Sequence, residues 1–294
     1  MSADAYAFDK SAVRRSFSAA SKQYDAVAVL QSEVRQRLLE RLTVFKLQPQ
    51  LVLDLGCGTA LSSQTLQTQY PSAHVIALDA AFGMLQRARP ARRWWGRKSF
   101  RRICGDAYQL PLKSKSVDLI FSNLMLQWCD PPDAVFAEVH RVLKPSGVFV
   151  FSSFGPDTLQ ELRSAWMGVD AHTHVNRFID MHDLGDALMR SGLAEPVLDV
   201  ERFTLTYPDV ITLMRELKSI GAHNMTQGRR HGLTARSVLN QVISHYETYR
   251  RDAVLPASYE VVYGQAWGNA TASLTPLGEV RIPVASIGRR RGQE

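Results

Sequence analysis

The stretch LVLDLGCGTALSS, residues 51–63, sets two glycines one residue apart directly behind an apolar run that carries an aspartate. A short apolar run bounded by turn residues reads as a buried strand. Glycines just past its end let the backbone turn sharply and approach a ligand with no Cβ in the way. A dinucleotide fingerprint would continue to a third glycine at position 61, where this chain has Leu61. The turn alone fits either a nucleotide ligand or a plain tight loop.

Working outward, AHVIALD (73–79), SFRRICGD (99–106), SVDLIFSN (116–123) and GVFVFSSF (147–154) repeat the strand pattern. Between them LSSQTLQTQY, AFGMLQRAR and DAVFAEVHRVLK space their apolar residues as helices do. Such alternation predicts a doubly wound α/β fold on a parallel sheet, which binds ligands at the carboxyl ends of its strands. Polar residues close four of those ends in order. Asp54 and the glycines belong to the first, and Asp79, 25 residues later, closes the second and can accept both hydroxyls of a ribose. Asp106 closes the third, where it can accept from an adenine amine while Ala107 offers its N–H. Asn123 closes the fourth and could meet the amino-acid end of a ligand. Each alone could be an ordinary cap or turn residue; the ordered set favours a nucleotide-like ligand.

The flanks are more helical. Residues 1–46 form an N-terminal helical segment, clearest at SEVRQRLLERLTVF. In DMHDLGDALMRSG (180–192), Asp180 suits an N-cap and Gly192 a left-handed stop, with Leu184, Ala187 and Leu188 facing inward. A strand at PVLDVERFTLTY (196–207) precedes a helical insertion over about 208–255, and SYEVVYGQAWG (258–268) supplies a last strand. The main domain is thus 47–268, and 269–294 reads as a disordered basic tail.

Composition sets bounds on this reading. The 294 residues, 45% hydrophobic, suffice for one large core, and no apolar run is long enough to span a bilayer. The first residues hold no apolar signal core, and three scattered cysteines make neither a disulfide framework nor a zinc site, so a reducing cytoplasm fits. The net charge of +7 is concentrated at 89–102 and in the tail, and by itself chooses no partner. His172 and His174 lack a third ligand at sensible spacing and read as loop histidines, so no metal is expected.

VLDLGCGTA, VIALDAAFGMLQRA, GDAYQLPLKSKSVDLIFSNLMLQW and EVHRVLKPSGVFVFSSF resemble the successive motifs of class I S-adenosylmethionine-dependent methyltransferases, over residues 51–154. The resemblance implies a seven-stranded Rossmann-like sheet with a reversed last strand, and S-adenosyl-L-methionine as cofactor. It carries a cofactor-binding role onto Gly56 at the methionine end, Asp79 at the ribose and Asp106 at the adenine, and onto Asn123. Asp54, Gly58, Met84 and Ala107 join the same expected site. Tyr24 and Gln31, in the N-terminal segment, are candidates to close over the cofactor and exclude water, as is Tyr207 at the end of the sixth strand. Enzymes that methylate amino nitrogens of bases often carry an Asp/Asn/Ser–Pro–Pro–aromatic run straight after the fourth strand. Here Pro131–Pro132 come later and read as a helix start, so no nucleic-acid partner is expected.

SFSAASKQYDAVAVLQ, FGPDTLQELR, RFIDMHDLGDALMRSGLAEPVLDVERFTLTY and LMRELKSIGAHN narrow the substrate. They resemble the malonyl-acyl-carrier-protein O-methyltransferases of biotin synthesis, over most of residues 8–268. That implies methylation of the free carboxylate of a malonyl thioester, on acyl-carrier protein or coenzyme A. Arg163 is the expected carboxylate anchor, less than two turns into a helix capped by Asp157, since a guanidinium fork suits a carboxylate. Arg215, Lys218 and the 89–102 cluster are candidates to dock an acidic carrier. Other readings stay open: a class I enzyme acting on a small acid, a quinone precursor or tRNA, or a methyltransferase-like assembly factor without catalysis.

Overall fold

The computed structural model describes residues 7–89, 99–170, 172–229, 232 and 234–269. Helices α1 (Lys10–Ala20), α2 (Tyr24–Val27) and α3 (Val29–Arg41) come first. The core then alternates β1 (Leu51–Leu55), α4 (Leu61–Gln69), β2 (His74–Asp79), α5 (Phe82–Arg87), β3 (Arg101–Cys104), β4 (Val117–Ser122), α6 (Pro132–Val142) and β5 (Leu143–Phe154). It continues with α7 (Gln160–Met167), α8 (Met181–Arg190), β6 (Ala194–Tyr207), α9 (Val210–Ser219), α10 (Arg236–Glu247) and β7 (Leu255–Trp267).

The seven strands lie in the order β3-β2-β1-β4-β5-β7-β6, with β7 antiparallel to both neighbours and the first five strands parallel. This is the expected class I methyltransferase sheet, reversed strand included. Chain direction across the sheet switches between β1 and β4, and the crevice outside that switch point is where such sheets take a ligand. Period-two alternation splits the core into two layers. Val52, Leu119 and Val150 face α3 and α4, while Leu53, Ile120 and Phe149 face α6 and α8.

Local signals place several ends. Asp180 accepts from the His182 N–H as the N-cap of α8, and Gly192 ends the turn after it at φ +87°. Leu184, Ala187 and Leu188 are buried as their spacing predicted. Pro132 opens α6, as a helix-starting proline should. One cap differs from expectation. α7 begins at Gln160 with Leu159 left-handed before it and no side-chain cap. The carboxylate of Asp157 pairs instead with Arg202 of β6 at 2.9 Å, because β6 is antiparallel to β7 and brings a long cation within its reach. Most of the basic run 89–102, and the tail from 270, lie outside the described residues.

Gly264 of β7 passes close over its neighbours: a Cβ there would lie 2.7 Å from Leu198 Cδ2 and closer still to the Phe151 ring. Overpacking a filled core costs about 1–3 kcal/mol. Gly264→Ala should therefore lower the urea midpoint with the slope unchanged, and an unaltered midpoint would show that the two sheet faces yield there.

Candidate active site

Two cavities open at the carboxyl ends of the strands. The first is built around the glycine turn. Gly56 and Gly58 hold φ of +73° and +54°, a region costly for other residues. The Gly56 and Cys57 N–H groups donate to the Leu78 carbonyl at 2.8 and 3.0 Å, and the Gly58 N–H donates to Asp79 Oδ2 at 2.8 Å. Ala81 N–H donates to Asp79 Oδ1 at 2.7 Å. The turn is thereby fastened to the end of β2. A Cβ on Gly56 would strike the Met125 side chain, whereas one on Gly58 would meet nothing within 4 Å. Gly58 therefore presents bare backbone to the open cleft. Asp79, Met84, Asp106, Ala107, Asn123 and Tyr24 join it in the lining.

The electrostatics follow from burial. Asp79 is pushed above the usual carboxylate range by burial, against the pull of its N–H donors. Burial raises the Tyr24 phenol too, and the nearby Asp79 and Asp25 carboxylates add to it, so the phenol stays neutral. Cys129 is raised to about 12 by burial and then by Asp106, so it remains a thiol. Asp79, Asp106, Ala107 and the bare glycine turn thus come together in one cavity. Met84 and Leu78 supply the apolar wall beside it.

The N-terminal segment closes this cleft. A Cβ on Gly83 of α5 would lie 2.5 Å from the Ser18 carbonyl oxygen, so α1 packs directly onto α5. Thr59 Oγ1 donates to Asp25 Oδ1 at 2.6 Å, latching α2 to the glycine turn. Lys10, Arg14 and Phe17 of α1 line the cleft, with Lys10 Nζ 3.3 Å from the Tyr108 ring centroid. Trp128 also lines it and stacks edge-on against Phe17. Sequence reasoning marked this segment as a cover but not these residues. The aromatic pair Phe17 and Trp128 was the available signal.

The second cavity adjoins the first, and Cys129 lines both. Arg163 lines this one, its guanidinium oriented by the Pro156 and Thr158 carbonyls at 2.9 and 3.0 Å. Gln127, Ser153, Trp166, His174 and Phe178 share the wall and were not anticipated. His174 Nε2 meets Asp170 Oδ1 at 2.7 Å, and its ring stacks on Trp166 with centroids 3.6 Å apart.

Three expected residues stand elsewhere. Tyr207 is buried with its hydroxyl on Glu216 at 2.9 Å and lines neither cavity, because β6 is the sheet's far edge. Asp54 sits behind the cleft and accepts from Ser63 Oγ at 2.5 Å, since strand alternation turns Leu55 toward the ligand side and Asp54 toward α4. Gln31 contributes only its carbonyl, which accepts from Asn123 Nδ2 at 3.1 Å. Asn123 also accepts from Ser152 Oγ at 2.9 Å, so its amide ties α3 to β5 as it lines the cleft. Arg215 and Lys218 are exposed on α9 and line neither cavity. Among the described residues no helix is long and apolar enough to cross a membrane.

Residues 53–151 match the methyltransferase-domain family. A malonyl-acyl-carrier-protein O-methyltransferase of Methylovorus sp. is 54% identical over 271 residues, covering 91% of this chain and 92% of that protein. One from Gallionella capsiferriformans is 51% identical over 267 residues, covering 89% and 92%. Among solved structures, the YcgJ protein of Bacillus subtilis matches with TM-score 0.56 at 17% identity, over 80% of this chain and 98% of that one. A SAM-dependent methyltransferase from Thermotoga maritima gives TM-score 0.51 at 15% identity, over 87% and 99%. At those identities the structural likeness speaks for the fold.

Asp54 generates a pH prediction. Burial, reinforced by the Asp79 charge and opposed by the Ser63 hydrogen bond, raises its carboxyl to about 7. The unfolded carboxyl titrates near ~3.9. Between those values the folded state binds more protons, so the contribution of Asp54 is full below about pH 4 and is lost as pH rises toward 7. Denaturant midpoints of the wild type should thus fall relative to Asp54→Asn across that window. A flat difference would place the carboxyl at an ordinary value.

Proposed function

The chain belongs to the malonyl-acyl-carrier-protein O-methyltransferase family, and from that membership we propose how its two cavities divide the reaction. The protein is a methyltransferase that converts the free carboxylate of a malonyl thioester on acyl-carrier protein into its methyl ester. The observation that carries our division of labour is the shared wall at Cys129, which lines both the glycine-turn cleft and the Arg163 cavity.

On the cleft side, Asp79 would accept the ribose hydroxyls, since each of its oxygens keeps a lone pair beyond the one taken by Gly58 or Ala81. Asp106 and the Ala107 N–H would meet the adenine, and Gly56 and Gly58 the methionine end, with Met84 in the apolar wall. S-adenosylmethionine, when bound there, supplies a methyl group made electrophilic by its positive sulfur. Tyr24 and the α1 face would exclude water from this joint.

On the other side, Arg163 would grip one oxygen of the malonyl carboxylate. The carriage of that guanidinium by two backbone carbonyls pre-orients it. The carboxylate is already ionised at neutral pH, so no side chain need remove a proton, and the chain's task is alignment. Burial keeps Cys129 a thiol, so it does not compete for the methyl group. Once the ester forms, its negative charge is gone and the hold of Arg163 weakens, which favours release. We propose that the step lies early in biotin formation and runs in the cytoplasm, a reading supported by the names of the malonyl-acyl-carrier-protein O-methyltransferases the chain resembles.

Incubating the protein with S-adenosylmethionine and malonyl-carrier protein should add one methyl group by mass spectrometry. No gain, with a carrier control that functions, removes the reaction. Two variants should then separate the cavities. Arg163→Ala should raise KM for the malonyl-carrier roughly 10–100-fold, the worth of a charge-assisted hydrogen bond, with cofactor affinity intact. Asp79→Ala should do the reverse, and a cofactor-only loss in the arginine variant would overturn its role.

A further inference from the structure

Two segments of the chain are free of acids. Residues 10–24 carry four Lys and Arg with no Asp or Glu, and residues 80–105 carry eight and none. Outside them Asp and Glu outnumber Lys and Arg, so the positive balance of the whole chain comes from these two stretches. The fold sets them side by side: α1 packs onto α5, where the Gly83 N–H donates to Ser18 Oγ at 3.2 Å. Residues three or four apart share a helix face, so Arg15 and Lys22 flank Ser18 on α1, and Arg87 lies beside Gly83 on α5. All three are exposed, as is Arg89 just beyond. Phe82, at the start of α5, is 60% exposed beside them. The acids that bound the two segments are already engaged. Asp9 accepts from the Ser11 and Ala12 N–H groups, Asp25 from Thr59, Asp79 from Gly58 and Ala81, and Asp106 from the Tyr108 N–H. Asp130, Asp180 and Asp183 line the second cavity instead.

Exposed charge of one sign around an apolar side chain fits a partner that presents acids with an apolar residue among them. The inward side of α1 lines the cofactor cleft through Lys10, Val13, Arg14 and Phe17, and Phe8, just before the helix, lines the second cavity. A protein seated on the outer side therefore stands next to both cavities, and its arm would enter past the start of α1. We infer that the outer faces of α1 and α5, centred on Arg15, Lys22, Arg87 and Phe82, dock the acidic surface of the carrier protein. The inference rests on the malonyl-carrier reaction proposed above and adds where the protein part of that substrate sits.

Charge reversal tests it. Arg15→Glu/Arg87→Glu should raise KM for the malonyl-carrier at least about tenfold, with kcat and the cofactor KM within about twofold. Phe82→Ser should raise the same KM and spare the same two constants. Lys46→Glu/Lys113→Glu makes the same change of net charge at exposed positions ahead of β1 and β4, and should leave KM within about twofold. Raising salt from about 0.05 to about 0.5 M should weaken the wild type's hold on the carrier far more than the Arg15/Arg87 variant's. Carrier bearing the bare arm, with no malonyl group, should bind the wild type and lose a similar factor in that variant. If it does so while no malonyl thioester is methylated, the reaction fails and the docking face stands. An unchanged KM in Arg15→Glu/Arg87→Glu, or an equal rise in both reversed pairs, overturns the inference. So does a fall in kcat or cofactor affinity in step with KM, which would make these residues structural parts of the cover. Phosphatidylglycerol vesicles or single-stranded DNA that bind more tightly than the carrier, and lose that binding in the variant, would give the face to another partner.

Discussion

A carboxylate at the bottom of a cleft has to be supplied with hydrogen bonds, and at Asp79 the backbone supplies them. The Gly58 and Ala81 N–H groups each take one oxygen, while the Leu78 carbonyl beside it receives the N–H groups of Gly56 and Cys57. These bonds join the loop after β1 to the end of β2 and hold it in left-handed geometry. Glycine is demanded twice for different reasons. At 56 a side chain would strike Met125, and at 58 a Cβ would meet open space but the backbone holds a φ of +54°. The shape of the first cleft, and the direction of every donor in it, depends on this joint.

The second cavity is positioned by a different device, the 3-10 turn after β4. Leu126–Trp128 swings Trp128 toward the first cleft and Gln127 toward the second, with Cys129 between them. A short turn with near-threefold geometry points successive side chains in divergent directions, so three adjacent residues serve two compartments. Arg163 of α7 lines the same cavity, its guanidinium oriented by carbonyls of the loop after β5. The proposed division of one reaction between two cavities suits a displacement in which orientation matters more than acid–base chemistry.

The N-terminal helices complete the enclosure through polar latches as well as apolar packing. Asp25 holds the glycine turn through Thr59, and Asn123 holds α3 through the Gln31 carbonyl while gripping Ser152 on β5. Each latch joins the cover to a residue at a strand end. The cover and the cleft floor are therefore parts of one hydrogen-bonded assembly. Burial inside it keeps Tyr24 and Cys129 neutral, which leaves the Asp79 and Asp106 carboxylates and the α1 cations Lys10 and Arg14 as the charged side chains lining the cleft.

Short-range chemistry was legible in the sequence. Strand and helix periods, the glycine turn, the Asp180 cap, the Pro132 start and the acids at strand ends all depend on residues within a few positions of one another. The order of those ends on a doubly wound sheet then gave the first cleft. What the chain alone left open was direction. Strand pleat decides whether Asp54 or Leu55 faces the cleft, and sheet order decides that Tyr207, on the outermost strand, lies far from the switch point. Helix docking angle decides that Lys10, Arg14 and Phe17 look into the cleft while Gln31 offers only its backbone. Each of these is set by contacts between segments distant along the chain, and no local pattern encodes them.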